Sequence, residues 1–172
     1  MYDVFLSHRG PDVKRHFCEF LSEALRRAGV LAFVDEADLK PGDDAWPTMK
    51  TALESAHLVL PVFSKSYAES HWCLDELVLM MRKPEKVMPV FYDVGPNLDD
   101  LAKKAEERYA CCPCSCRIVG GRVLSPSCVM RVRHHRFVRR VPNCTHDKLV
   151  EWKAALKEAS KKTGWRADKT SG

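Results

Sequence analysis

The chain has no apolar run near the ~18 residues that would mark a bilayer-spanning helix, and no basic-then-apolar leader, because Asp3 follows Met1-Tyr2 directly. The expectation is a chain that is neither secreted nor in a membrane, located in the cytoplasm with the nucleus also open to it. Glycine-rich phosphate loops are missing as well. Ser7-His-Arg-Gly-Pro-Asp12 holds a single glycine, which excludes both G-x-G-x-x-G and a P-loop. No histidine sits in a nucleophile motif: His8, His57 and His71 occur singly, so a Ser or Cys nucleophile with a partner base is not indicated.

Acidic residues are absent from residues 110–146, which carry seven arginines and leave the rest of the chain with 21 basic against 23 acidic side chains. The net charge of +5 is therefore local, and a nucleic-acid partner would rest on this one segment, without a basic face spread over the domain. Six of the eight cysteines (Cys111, Cys112, Cys114, Cys116, Cys128 and Cys144) lie in the same stretch. Without a secretory signal, reduced thiols are the default. Cys111-x-x-Cys114 and Cys112-x-x-x-Cys116 have partial metal-ligand spacing, with Cys128, Cys144, His134 and His135 as completions. The two ordered pairs of a structural zinc site are missing, so no metal is expected. Showing neither helical nor strand period, residues 110–146 are expected to be an irregular, disordered insertion, of mis-spliced or intron-derived origin. Uniform retention of that stretch in mature transcripts would count against such an origin.

What is present alternates. Tyr2-Asp-Val-Phe-Leu-Ser7 reads as a buried strand stopped by Arg9-Gly-Pro11. Asp12 caps a helix through Val13, Phe17, Phe20, Leu21, Ala24, Leu25 and Ala28, which Gly29 ends. Val30–Val34, Leu58–Phe63 and Val87–Asp93 are further strands, with Pro61 weakening one side of its ladder. Pro47 opens a helix running to about Ala56. Asn97 caps one marked by Leu98, Leu101, Ala102, Ala105 and Tyr109, and Asp147 opens a last one through Leu149, Trp152, Leu156 and Ala159. Strands alternating with helices imply an open, mostly parallel α/β sheet covered on both faces, whose site lies at the carboxyl ends of the strands. Ser7–Gly10, Asp35–Trp46 and Phe63–Trp72 meet there. The third strand ends in Phe63-Ser64, where a phosphoryl-accepting receiver domain needs an aspartate.

Within Phe63–Leu77, Ser70 is a good N-cap. Cys73, Leu74, Leu77, Val78, Met80 and Met81 form one apolar face, Asp75 and Arg82 point away, and Glu76 falls at the edge of the face beside Trp72. Asp75 is expected to be solvated, so that Asp75→Ala would be nearly silent. From the helix alone Glu76 reads first as a surface glutamate.

Taken together, Tyr2-Asp-Val-Phe-Leu-Ser-His-Arg-Gly10, Phe33-Val-Asp35 with Leu39-Lys-Pro-Gly42, Pro61-Val-Phe-Ser-Lys-Ser-Tyr-Ala68, Trp72-Cys-Leu-Asp-Glu-Leu77 and Pro89-Val-Phe-Tyr-Asp-Val94 closely resemble the plant Toll/interleukin-1 receptor (TIR) domain. The resemblance covers about residues 2–109 and resumes in the last helix. It divides the chain into a core (1–109), the insertion (110–146), a C-terminal helix (147–164) and a tail (165–172). It implies a flavodoxin-like three-layer sandwich with a five-stranded parallel sheet of order 2-1-3-4-5. The implied activity is cleavage of NAD⁺ to nicotinamide and ADP-ribose or a cyclic variant, in immune and cell-death signalling, with NAD⁺ as substrate and no separate cofactor.

By the same resemblance Glu76 is the catalytic carboxylate, while Arg9, Gly10, Asp12, Lys40, Gly42, Ser64 and Trp72 contact the substrate. Trp72 reads equally as a packing residue and Ser64 as a turn residue, and Cys73 reads as a core filler. The loop after the second strand closes the site against a neighbouring subunit, so a homo-oligomer is implied. Glu19-Phe20 stands where many plant members place Ser-His for self-association, and Gly95 where an acidic residue is common. Two other functions stay open: a non-enzymatic adaptor acting through homotypic TIR contacts, and synthesis of cyclic nucleotides from nucleic acid.

Overall fold

The computed structural model describes residues 2–9, 13, 17–34, 45–109 and 146–167. The expectations for Asp12 as a cap, for the loop 35–44 and for the Cys- and Arg-rich segment 110–145 lie outside them.

The described elements run β1 (Val4–His8), α1 (Glu19–Arg27), β2 (Ala32–Val34), α2 (Ala45–Ser55), β3 (Leu58–Phe63), α3 (His71–Met80), β4 (Val90–Tyr92), α4 (Asp99–Tyr109), α5 (His146–Ser160) and β5 (Trp165–Ala167). The strands form one five-stranded sheet of order β2-β1-β3-β4-β5, parallel throughout. The flavodoxin-like order 2-1-3-4-5 is thus observed. Residues 165–167, expected to belong to a tail, are instead the edge strand β5, in register with β4 from Val90↔Trp165 to Tyr92↔Ala167. Two of its three residues are solvent-exposed, so it carries no alternating apolar pattern by which a sequence could announce it.

Strand alternation distributes the core. Phe5, Phe33, Phe63 and Phe91 point to one face, beneath α2 to α5, and join Leu74, Leu77, Leu101, Trp152 and Leu156 in the larger cluster. Val4, Leu6, Val34, Leu60, Val62, Val90 and Tyr92 point to the other face, against Phe17, Leu21 and Leu25 of the α1 region. Each of these large apolar side chains contributes about 1.5–3 kcal/mol on burial. Because Phe5 faces α3, so does Ser7 two residues later.

Several predicted boundaries have a visible cause. Gly29 adopts φ 78°, and its N–H donates to Arg26 O while that of Val30 donates to Leu25 O, the two bonds of a Schellman C-cap. Asn97 Oδ1 accepts from Asp99 N at 2.9 Å ahead of α4. β3 lies inside the sheet despite Pro61. Its pairing with β4 consists of a bridge at Val59↔Val87 and a ladder at Val62↔Val90 and Phe63↔Phe91, and Pro61, which has no N–H to donate, stands in the gap. Phe20, expected on the buried face of the first helix, is instead 74% exposed, with Glu19 beside it also at the surface. Val13 is already α-helical, a wider π-type turn stands at Phe17–Cys18, and α-helix runs again from Glu19; the change of winding rotates Phe20 off the face that Phe17 and Leu21 share.

A glycine is obligatory at one further point. A Cβ on Gly164 would lie 2.3 Å from Pro89 O, because the chain leaving α5 must pass close to β4 for Trp165 N to donate to that same carbonyl at 2.9 Å. Among the described residues no helix is long and apolar enough to cross a membrane.

Candidate active site

Three chain segments converge at the carboxyl ends of β1 and β3. After Phe63 the chain turns through Ser64, whose carbonyl accepts from Tyr67 N, and a 3-10 turn at Tyr67–Glu69. Ser70 then caps α3: its backbone is extended (φ −102°, ψ 116°) and its hydroxyl accepts from Cys73 N at 3.4 Å.

Glu76, expected at the rim of the apolar face, lies inside it at 1% exposure, on the same side of α3 as Cys73, Leu77 and Met80. The Ser7 hydroxyl donates to Glu76 Oε2 at 2.6 Å, a short bond of the kind carboxylates form. Ser7 Oγ lies 3.1 Å from the Tyr67 hydroxyl, which donates to Cys73 O, also at 3.1 Å. The Cys73 thiol donates to His8 O at 3.5 Å, a further tie between the first turn of α3 and the end of β1. Tyr67 is wholly buried, edge-on to the Phe63 ring at 4.9 Å between centroids.

Around this centre the other expected residues divide. Arg9, next after β1, donates to Glu69 Oε2 at 2.7 Å and to Ser66 O at 3.0 Å, so its guanidinium is held by a carboxylate and a carbonyl of the turn after β3. Ser64 is buried, and its position serves the turn after β3. Trp72 is 45% exposed and does not join the core; its ring lies 5.3 Å from that of Trp46 and 5.2 Å from that of His71, so three aromatic rings line one surface at the amino end of α3. Burial holds the His71 pKa below the ordinary histidine range, with Lys148 acting the same way and Asp75 opposing. Gly10, Asp12, Lys40 and Gly42 lie outside the described residues.

Asp75 corrects the expectation made for it. It is not solvated: Oδ1 accepts from the Trp152 indole at 2.9 Å, and Lys148 Nζ lies 3.0 Å from Oδ2. One helical step from Glu76, it therefore ties α3 to α5. Ser7, Trp46 and Tyr67 lie in the three segments expected to meet at the site, but sequence reasoning gave none of them a role of its own. Ser7 was detectable, since it falls on the Phe5 side of β1; the hydroxyl of Tyr67 carries no periodic signal.

A small cavity of about 140 Å³, lined by Leu53, Val59, Leu79, Met80 and Arg82 among others, lies at the opposite end of α3 and is too small for a dinucleotide. Among the described residues no group of three or more His, Cys, Asp or Glu side chains could hold a metal.

The TIR domain family model matches residues 1–110. The chain belongs to the TIR domain family. It is similar to the probable 2' cyclic ADP-D-ribose synthase BdTIR of Brachypodium distachyon, with 34% identity over 96 residues covering 56% of this chain and 43% of that protein. It is 41% identical over 115 residues to the TMV resistance protein N of Nicotiana glutinosa, covering 62% of this chain and 10% of the relative. With disease resistance protein RPV1 of Vitis rotundifolia it shares 33% identity over 168 residues, covering 95% of this chain and 10% of the relative. The chain thus spans less than half the length of BdTIR and about a tenth of the two resistance proteins. Among solved structures it resembles the TIR domains of the activated Roq1 resistosome, which recognises the pathogen effector XopQ. The TM-score is 0.67 at 32% identity, over 96% of this chain and 87% of that one.

Proposed function

We propose that the protein cleaves NAD⁺ at the bond between nicotinamide and ribose, with Glu76 as the carboxylate that stabilises the reacting ribose. The observation that carries this reading is the burial of Glu76 at the carboxyl edge of the sheet, oriented by Ser7 at 2.6 Å. The TIR relative named as a cyclic ADP-ribose synthase supports it.

The chemistry accounts for a single carboxylate. When the C1′–N bond breaks, its electron pair leaves with the pyridinium nitrogen, and nicotinamide departs neutral without a general acid; ordinary glycosidases need two carboxylates. Positive charge develops on the ribose, where an ionised Glu76 opposes it and accepts from the ribose hydroxyls. Water captures the cation to give ADP-ribose, or a ribose hydroxyl or the adenine captures it internally to give a cyclic product, each with release of a proton. NAD⁺ enters as substrate, and no separate cofactor is required.

In this reading Arg9 exchanges Glu69 for the substrate diphosphate, Trp72 contributes a wall of the pocket together with Trp46, and Gly10, Asp12, Lys40 and Gly42 complete the contacts. Since Glu76 is enclosed, turnover requires the carboxyl edge to open. The resemblance to a resistosome's TIR domains and to disease resistance proteins supports a role for the activity in plant immune signalling, in a self-associated state.

The test is incubation of the protein with NAD⁺ under assembly-promoting conditions, with mass spectrometry of the products. Release of nicotinamide that is lost in Glu76→Ala is the expected result, and the second product identifies hydrolysis or cyclisation. The engagement of Arg9 by Glu69 and Ser66 O favours a second reading, an adaptor acting through homotypic TIR contacts; no nicotinamide under those conditions would select it.

A further inference from the structure

We propose that Ser7 and Tyr67 are positioning residues, which fix the Glu76 carboxylate in one orientation from the β1 side; the inference rests on the NAD⁺-cleaving reading of Glu76. A glutamate side chain has three rotatable bonds, and on a helix one turn from the surface it can sweep several ångströms. Here it is held at two levels. Ser7 is anchored in the middle of the sheet, paired with Pro61 of β3 and fully buried, and its only hydroxyl proton goes to Glu76 Oε2 at 2.6 Å. That leaves Ser7 Oγ as an acceptor towards Tyr67.

Tyr67 likewise has one proton, and it faces two acceptors at the same distance, Ser7 Oγ and Cys73 O, each 3.1 Å away. That single proton is shared between the two acceptors, so one phenol stands against both the serine that orients the carboxylate and the first turn of the helix that carries it, without a full bond to each. Its ring cannot shift, being buried against Phe63. The chain Tyr67–Ser7–Glu76 couples three elements, the turn after β3, β1 and α3. An error of ~1 Å in a reacting group is worth about 10²-fold in rate, so an arrangement that removes rotamer freedom from Glu76 acts on the chemical step and leaves substrate binding alone.

The experiment compares the full chain with Ser7→Ala and Tyr67→Phe, the latter keeping the buried ring. Steady-state NAD⁺ cleavage should show kcat reduced about 10–100-fold in Ser7→Ala and about 3–10-fold in Tyr67→Phe, with KM within about twofold of the parent. Parental kcat in both variants overturns the proposal, as does a loss confined to KM. Carbon-13 NMR of glutamate-labelled protein, with the Glu76 carboxyl resonance assigned through Glu76→Gln, provides a readout that needs no turnover. The resonance should be sharp in the parent, and displaced and broadened in Ser7→Ala. If the parent releases no nicotinamide, the function assigned to Glu76 fails while this measurement still decides the positioning: an unmoved resonance overturns it.

Discussion

Asp75 and Glu76 are adjacent carboxylates on one helix, separated by about 100° around its axis, and the two faces of α3 use them differently. On the inner face Glu76 is buried and receives the hydroxyl of Ser7 from the sheet. On the outer face Asp75 receives an ammonium, Lys148, and the indole N–H of Trp152, both from α5. A neutral hydroxyl orients a carboxylate without neutralising it, whereas a cation at 3.0 Å cancels much of its field. In the proposed function the inner-face carboxylate is the one that meets the reacting ribose, while the outer face uses its carboxylate as a clamp for the C-terminal helix.

The largest effect that would break this contrast is on catalysis. Glu76→Gln, which keeps the shape of the side chain, should lower nicotinamide release by ~10²–10³-fold with the thermal midpoint close to that of the parent. An unchanged rate would remove Glu76 from the site.

Next in size is the attachment of the C-terminal segment itself. Gly164→Ala brings a Cβ against backbone at Pro89 O, where nothing can yield cheaply, and should cost about 2–3 kcal/mol, as overpacking does, measured by urea denaturation. A silent substitution would mean that β5 detaches from β4 without consequence for the rest of the sheet.

Asp75→Ala should cost about 1–2 kcal/mol, since it leaves the buried Trp152 indole without its acceptor, yet kcat per folded molecule should stay near that of the parent. Loss of activity out of proportion to stability would show that the outer face governs Glu76 too.

The smallest effect concerns pH. Burial depresses the His71 pKa in the folded protein, so the unfolded chain binds the proton more readily. Folding stability is then complete above the unfolded value of about 6.5 and falls as pH drops through it. His71→Gln should flatten that acid limb slightly in a series of thermal melts, and a parallel curve would exclude His71 as its source.

The elements whose apolar residues repeat at strand or helix spacing were legible in the sequence, together with their caps, because Ser70, Asn97 and Gly29 act within a few residues of themselves. The carboxyl edge of the sheet as the expected place of a site came from the alternation of strands and helices. Three things did not follow. β5 is three residues long, two of them exposed. Phe20 is exposed because the helix changes its winding before Glu19. Asp75, which reads as solvated on a helical wheel, is enclosed by a helix some seventy residues further on.

By itself, then, the sequence determined the alternation of strands and helices, the turn chemistry between them and the five motifs that mark a TIR domain, all of which depend on residues near one another in the chain. Only the tertiary structure decided which carboxylate of Asp75-Glu76 is enclosed by the sheet and which by α5, and that Ser7 and Tyr67 stand behind Glu76. Those contacts join positions 60 to 77 residues apart. A period of 3.6 or 2 fixes the direction in which a side chain leaves its own element; the partner it meets depends on how the elements are packed.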